Sequence, residues 1–465
     1  MTRKEFIYQT TAGFTAVLTL PGVWAFHNPK GEENWTPFDF RPFRSGNTAA
    51  PVMQVTPDDG FYLHTFYDVC PWSPSGRYLA VTKLPYQRKK PVWGDTAAVC
   101  VVDLEKQAIR TVYQTKAWSF QVGANVQWGH ATDRYLYTND LINGIPVCVR
   151  IDLIAGDIKA FSGAKYDIAP DDKSVISPNL LNMNIHQYGY AVPDPPPGKP
   201  QPFRPEDMSR EGLWKTELER NETTLLATID QFFDAVAEND RQRYIGSIGY
   251  LFHSKFNRQN TRILQVFRAQ VDGEGRNASL FSMDTNGKEL TQCLSAEKWN
   301  QRARLGGSGN HPNWHPDGER VIMNCIPTWL GYKDMLFCSF DYRGGQFTVL
   351  SEKHLGSGHP TMHPGSRYLL ADAYPKQTYV VPESGEIPLR LIDLKYDTET
   401  IICTLPTDVG GGSNQYLPPD RITGGSHHKL DPHPAWNRDY TQICFNGAPE
   451  GNRQVFIADI HTLLP

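Results

Sequence analysis

One unit recurs seven times along the 465-residue chain, and this repetition constrains the fold more than any other feature. Its clearest copy runs from Ser308 to Cys325, SGNHPNWHPDGERVIMNC. It reads as a short strand from His311 to Trp314, a tight turn and a second strand from Arg320 to Cys325. In the turn, Pro316 presets φ and Asp317-Gly318 supplies the positive φ that a hairpin requires. Related copies begin at His253 (HSKFNRQNTRILQ), His359 (HPTMHPGSRYLLA) and His433 (HPAWNRDYTQICF), with weaker ones at Val69, Asn125 and Tyr166. A further strand follows each copy and ends on an acid: Asp103, Asp152, Glu217, Asp284, Asp341, Asp393 or Asp459. A two-layer sandwich gives similar strands but not a repeated anchor with a repeated closing strand. The repeat therefore predicts an all-β, seven-bladed β-propeller. The seventh unit reaches Pro465 with no room for an outer strand, so a strand near Val52–Thr56 is expected to complete it and close the ring.

The repeat also places chemistry. Three residues before the large residue that precedes each turn stand Val69, Asn125 and Tyr166 in the first three units. In the last four the same position holds His253, His311, His359 and His433. The first strand of a propeller blade lines the axis, so equivalent positions form a ring. One histidine there reads as polar filler between blades. Four in register predict a functional cluster on one side of the axis. The turn histidines His315 and His363 are expected to be solvated.

Net charge −4 and the lack of a long basic run give no basis for nucleic-acid binding. Eleven tryptophans and 21 tyrosines suit a carbohydrate-binding surface and sheet packing equally. The first 26 residues begin with Arg3 and Lys4 and continue into an apolar stretch, the pattern of a secretory signal, with RKEF resembling a twin-arginine-type start. Threonines and glycines make this stretch a poor membrane span. Residues 27–465 are expected to form a single propeller domain, periplasmic or secreted from a bacterium, monomeric, and free of the membrane once the signal is removed. The eight cysteines show no CxxC spacing and fall mostly in predicted strands, so they read as buried thiols rather than a disulfide framework or zinc knuckle.

Two long insertions interrupt the repeat. The first, from Leu181 to Trp214, is proline-rich and carries His186, Tyr188, Tyr190 and Arg204. The second, from Pro406 to Pro434, is glycine-rich and delivers His427, His428, Asp431 and His433 toward the ring. Two such loops on one rim beside a histidine ring predict a substrate cleft. His64, in FYLHTFYDVCPW, is expected to line that cleft from the first blade.

The GSGHP start of the sixth unit, the DPHPAW start of the seventh and the Tyr188-Gly189-Tyr190 loop resemble the seven-bladed propeller polysaccharide lyases. These comprise the oligogalacturonate lyases and the ulvan lyases, and the resemblance runs from about His64 onward. It implies β-elimination on a uronic-acid-containing polysaccharide or oligosaccharide. In the oligogalacturonate lyases a divalent metal is held by a histidine of one blade and a Gln-x-x-His-x-His-Pro segment of a later one. Here that segment is His428-Lys429-Leu430-Asp431-Pro432-His433-Pro434, so His428 replaces the glutamine and Asp431 the first histidine. The resemblance thus implies His359, His428, Asp431 and His433 as ligands, a set that suits manganese or zinc. His311 takes the place of the catalytic base.

In the ulvan lyases a tyrosine and an arginine sixteen residues on serve catalysis, and Tyr188 and Arg204 stand at that spacing. The second-blade histidines of that group are absent: Asn125 and Gln127 occupy the strand, with His130 in the turn beyond. The implied catalytic set is His311, Tyr188, Arg204 and His64, with His130, Tyr190 and His253 binding substrate. His311 or Tyr188 would take the C5 proton while a metal ion or Arg204 neutralises the uronate carboxylate. Two other readings stay open: a glycoside hydrolase, which needs two acids flanking the bond, and a carbohydrate-binding propeller without catalysis.

Overall fold

The HPDG turn folds as its residues dictate. Gly318 adopts φ 77°, and Asp317 Oδ1 accepts the N–H groups of Glu319 (2.9 Å) and Arg320 (3.0 Å). The flanking strands are Asn310–Trp314 and Arg320–Cys325. This computed structural model describes residues 26–27, 34–43, 48–88, 91–196, 208–270, 276–304, 307–375, 377, 379–409 and 430–465. Seven antiparallel sheets of four or five strands form the blades of a β-propeller.

The acid that ends the third strand caps the turn into the fourth. Asp103 Oδ1 accepts from Glu105 and Lys106, Asp152 Oδ1 from Ile154 and Ala155, and Asp341 Oδ1 from Arg343 and Gly345. These are Asx turns, which hold the chain while it reverses. Arg77, Arg134 and Arg367 each stand just before a second strand and pair with Asp103, Asp152 and Asp393 at 2.7 Å.

Adjacent blades are joined by the large residues of the repeat. Trp128 donates to the Pro71 carbonyl (2.9 Å), Trp314 to the Lys255 carbonyl (3.1 Å) and Trp436 to Thr361 Oγ1 (3.0 Å). The turns touch as well, which corrects the expectation that His315 is solvated. His315 is only 2% exposed, with Nε2 2.9 Å from Ser366 Oγ in the next blade and Nδ1 3.0 Å from Asp317. His363 packs edge-on against Trp436 and Tyr440.

The ring closes as strand counting predicts. Val52–Gln54 pairs antiparallel with Gln454–Asp459 in the seventh sheet, and Arg41–Pro42 adds a fifth strand. Thr36–Pro37 and Phe26–His27 extend the first and second blades in the same way. Apart from Phe26, the signal-like stretch lies outside the described residues. No described helix is long and apolar enough to cross a membrane. All eight cysteines are free thiols, seven of them buried.

Antiparallel order fixes which rim carries what. A first strand runs from its ring position to its HPDG-type turn. Connections between second and third strands, and those between blades, therefore return to the ring-position rim. The first long insertion joins the second and third strands of the third blade and the second joins the sixth blade to the seventh, so the strand ends they connect lie at that rim.

Val52 is 3% exposed and packs with Phe456 and Ala458. Val52→Asp places an unpaired charge in that seam and is expected to cost about 3 kcal/mol or more, read from the urea midpoint. Lys165 is fully buried, donates to Asn125 Oδ1 (3.2 Å) and Gln127 Oε1 (3.3 Å), and burial pushes its pKa down to about 8 from an ordinary 10.5. Between these values the unfolded chain holds the extra proton, so stability rises with pH. Relative to Lys165→Met, the natural protein is expected to gain stability from about pH 8 to about pH 10.5, with a constant difference from about pH 6 to 8.

Candidate metal centre

Four of the seven ring positions share an uncommon backbone. Asn125, His253, His311 and His433 have φ of 48°, 55°, 52° and 50°, a left-handed conformation that asparagine and histidine adopt more readily than branched residues. Ladder pairing skips them: the register passes from Phe252 to Ser254 and from Asn310 to Asn313. A residue left out of the ladder forms a bulge that re-aims its side chain. Here the rings turn onto the axis. Ring centroids lie 4.0 Å apart for His311–His359, 4.4 Å for His359–His433 and 6.4 Å for His253–His311. The four histidines expected to converge do so. His311 is half-buried and the other three are buried.

The first blade fills the axis with Phe66 and Tyr67, not with Val69 as the ring count predicts. Phe66 sits 4.5 Å from His433 and 5.1 Å from His253, and Tyr67 4.9 Å from His359 and 5.7 Å from His311. Lys255 donates to the Tyr67 hydroxyl at 3.1 Å and pairs with Asp68 at 2.5 Å. Beyond Tyr67 a cavity of about 430 Å³ leads along the axis to the rim of the HPDG-type turns. His130 lines that cavity, with Nδ1 3.0 Å from Asp172 Oδ1. The expected role of His130 beside the cluster is therefore corrected: five positions past Asn125, the strand has carried it to the opposite end of the channel.

On the insertion side, His359, Asp431 and His433 present ligand atoms all within 4.8 Å of one another, and all three residues are buried. Asp372, fully buried, lies against His359, with Nδ1 2.9 and 3.0 Å from its two carboxylate oxygens. Two imidazole nitrogens and one carboxylate oxygen suit a borderline divalent ion such as manganese or zinc. His428, the fourth expected ligand, and Arg204 lie outside the described residues. His64 is fully buried behind this group, where its N–H donates to Asn446 and its ring faces the backbone of His433 and Pro432. Burial pushes its pKa down to about 4, so it is neutral at pH 7.

The half-buried His311 faces the open end. Its Nδ1 lies 2.7 Å from the Gly358 carbonyl, which can only accept, so in the neutral ring the proton sits on Nδ1. Tyr374 places its hydroxyl 2.9 Å from Nε2 and 3.2 Å from Nδ1. Burial pushes the Tyr374 phenol well above its ordinary value, which keeps it protonated. Burial and the nearby Lys255 charge push His253 the other way, leaving it neutral, with Nδ1 3.4 Å from the Tyr166 hydroxyl.

Tyr190 reaches the cluster through edge contacts with Phe66 (6.0 Å) and Phe252 (5.1 Å). Tyr188 is buried in the same loop, where the Gly189 carbonyl accepts from Gln121 N–H. Arg268 packs over Phe252, bonds Gln187 of the loop, and extends its charge to His253, Tyr166 and Tyr374. Tyr67, Arg268, Asp372 and Tyr374 escape sequence reasoning because none lies at the repeated first-strand position. Only an acid directly after the apolar strand Tyr368–Ala371 hints at Asp372.

Removing one of three ligands should weaken binding more than changing a residue behind them. His433→Ala is expected to lower manganese affinity more than about 100-fold by titration calorimetry.

No family model and no curated protein matches the sequence. Among solved structures, an oligogalacturonate lyase in complex with manganese aligns with a TM-score of 0.61 at 14% identity, over 92% of this chain and 98% of its own. The oligogalacturonate lyase of Vibrio parahaemolyticus aligns with a TM-score of 0.61 over the same shares. At this identity the likeness is one of architecture: the chain shares the seven-bladed propeller fold of the oligogalacturonate lyases.

Proposed function

We propose that the protein is a divalent-metal-dependent polysaccharide lyase that cleaves a uronic-acid-containing polysaccharide or oligosaccharide by β-elimination. One observation carries this reading: the half-buried His311, whose Nε2 lies 2.9 Å from the Tyr374 hydroxyl, stands against the buried His359–Asp431–His433 group. A divalent ion held there supplies a positive charge that stabilises the uronate carboxylate as the C5 proton leaves. The chain's own residues do the rest. The Gly358 carbonyl keeps the His311 proton on Nδ1, so Nε2 is the base. Arg268 adds a second positive charge to the cleft, the role expected of Arg204. The departing oxygen needs a proton, and Tyr374 is the protonated hydroxyl beside the base. Tyr190 offers an aromatic edge to the sugar.

The hydrolase reading has less support. Asp68 is tied to Lys255 at 2.5 Å beyond Tyr67, and Asp431 belongs to the group that would hold the metal, so neither stands ready as one of two acids flanking a bond. The basic-then-apolar start supports export to the periplasm or medium, where an acidic polysaccharide would meet a monomeric enzyme.

The test is incubation with several uronate polysaccharides and manganese, following the ultraviolet absorbance of the unsaturated product. His311→Ala is expected to lower kcat by about 10²–10⁴-fold. New reducing ends without the chromophore point to hydrolysis, and neither signal on any uronate leaves a binding propeller.

A further inference from the structure

We propose that Asp372 is a positioning residue for this metal centre, one carboxylate that sets the ligand atoms of two blades at once. The inference rests on the metal-dependent reading above and deepens it. Asp372 directly follows the second strand of the sixth blade, Tyr368–Ala371, and is fully buried. Its Oδ1 accepts the backbone N–H of His359 at 2.7 Å and lies 2.9 Å from His359 Nδ1. Its Oδ2 accepts the backbone N–H of His433 at 3.1 Å and lies 3.0 Å from the same Nδ1.

An ionised carboxylate only accepts, so His359 Nδ1 must carry the proton and Nε2 keeps its lone pair for a ligand bond. The contact to His433 crosses the seam between the sixth and seventh blades. A single group therefore fixes the tautomer of one ligand and the backbone position of the other. The N–H groups of His359, His433 and the His359 ring converge on this buried carboxylate and offset its desolvation.

Gly358 is the second half of the device. Its φ is +57°, and a Cβ there would meet Asp372 Oδ1 at 2.1 Å and the Asp372 carbonyl oxygen at 2.3 Å. Glycine is the residue that lets the carboxylate reach the backbone of His359. The sequence GSGHP thus encodes close approach as well as a turn.

The experiment titrates manganese, then zinc, into metal-free natural protein and into Asp372→Asn by calorimetry. The variant is expected to bind 10–100-fold more weakly, the usual effect of losing a partner behind a ligating histidine. In parallel, ¹⁵N–¹H correlation of the His359 ring in the natural protein without metal is expected to show the proton on Nδ1. This second reading needs no variant, so it decides the matter even if Asp372→Asn does not fold. Equal affinity in the variant, or an Nε2-protonated ring, overturns the role given to Asp372 alone. Natural protein that binds neither ion overturns the metal reading itself.

Discussion

The axial cluster depends on a backbone conformation that most residues avoid. A left-handed position costs a non-glycine residue roughly 1–2 kcal/mol, and the chain accepts it at Asn125, His253, His311 and His433. The return is geometric. Outside the ladder, His253, His311 and His433 turn to the axis and join His359, with neighbouring ring centroids 4.0–6.4 Å apart in tilted or edge-on contact. Strain of this kind persists where surrounding packing over-determines it. Here that packing is the inter-blade tryptophan bonds on one side and the Phe66–Tyr67 pair on the other.

The axis is divided into two chemically distinct compartments. Toward the insertions lie imidazoles and the carboxylates of Asp372 and Asp431, a donor set for a cation. Beyond Tyr67 lie Asp68, Asp167, Lys165 and Lys255, buried charges of both signs that answer one another. Burial raises Asp167, while the N–H of Phe256 (2.8 Å) and the amide of Gln127 (3.1 Å) offset part of that cost. The cavity of about 430 Å³ belongs to this second compartment, and Asp68, Lys255 and Asp167 along it are mutually engaged.

The architecture was legible because its signals are local. A turn such as HPDG and an acid that caps the next turn recur in sequence, and a register count along the repeat finds the four histidines. The first blade broke the count, because its axis is filled two and three residues before Val69 by aromatics that read as ordinary core. His130 stands in the turn where its sequence position puts it, but a strand's length separates it from the cluster beside which substrate would bind. His315 looked solvated because turn composition does not reveal that neighbouring turns touch. Arg268, Tyr374 and Asp372 stand at the upper ends of second strands or just after them, where the repeat carries no signature.

The closing strand has a consequence for how the molecule comes to be. Thr56 and Gln454 share a hydrogen bond although 398 positions separate them. Residues 52–54 leave the ribosome long before their partner strand, Gln454–Asp459, is made. Until then the last blade has no outer edge, and contacts of such long range form slowly. An unpaired strand edge invites association with other chains. The wheel is therefore most vulnerable to aggregation in the interval before its two ends meet, and a chaperone that shelters the early strand would protect the whole assembly.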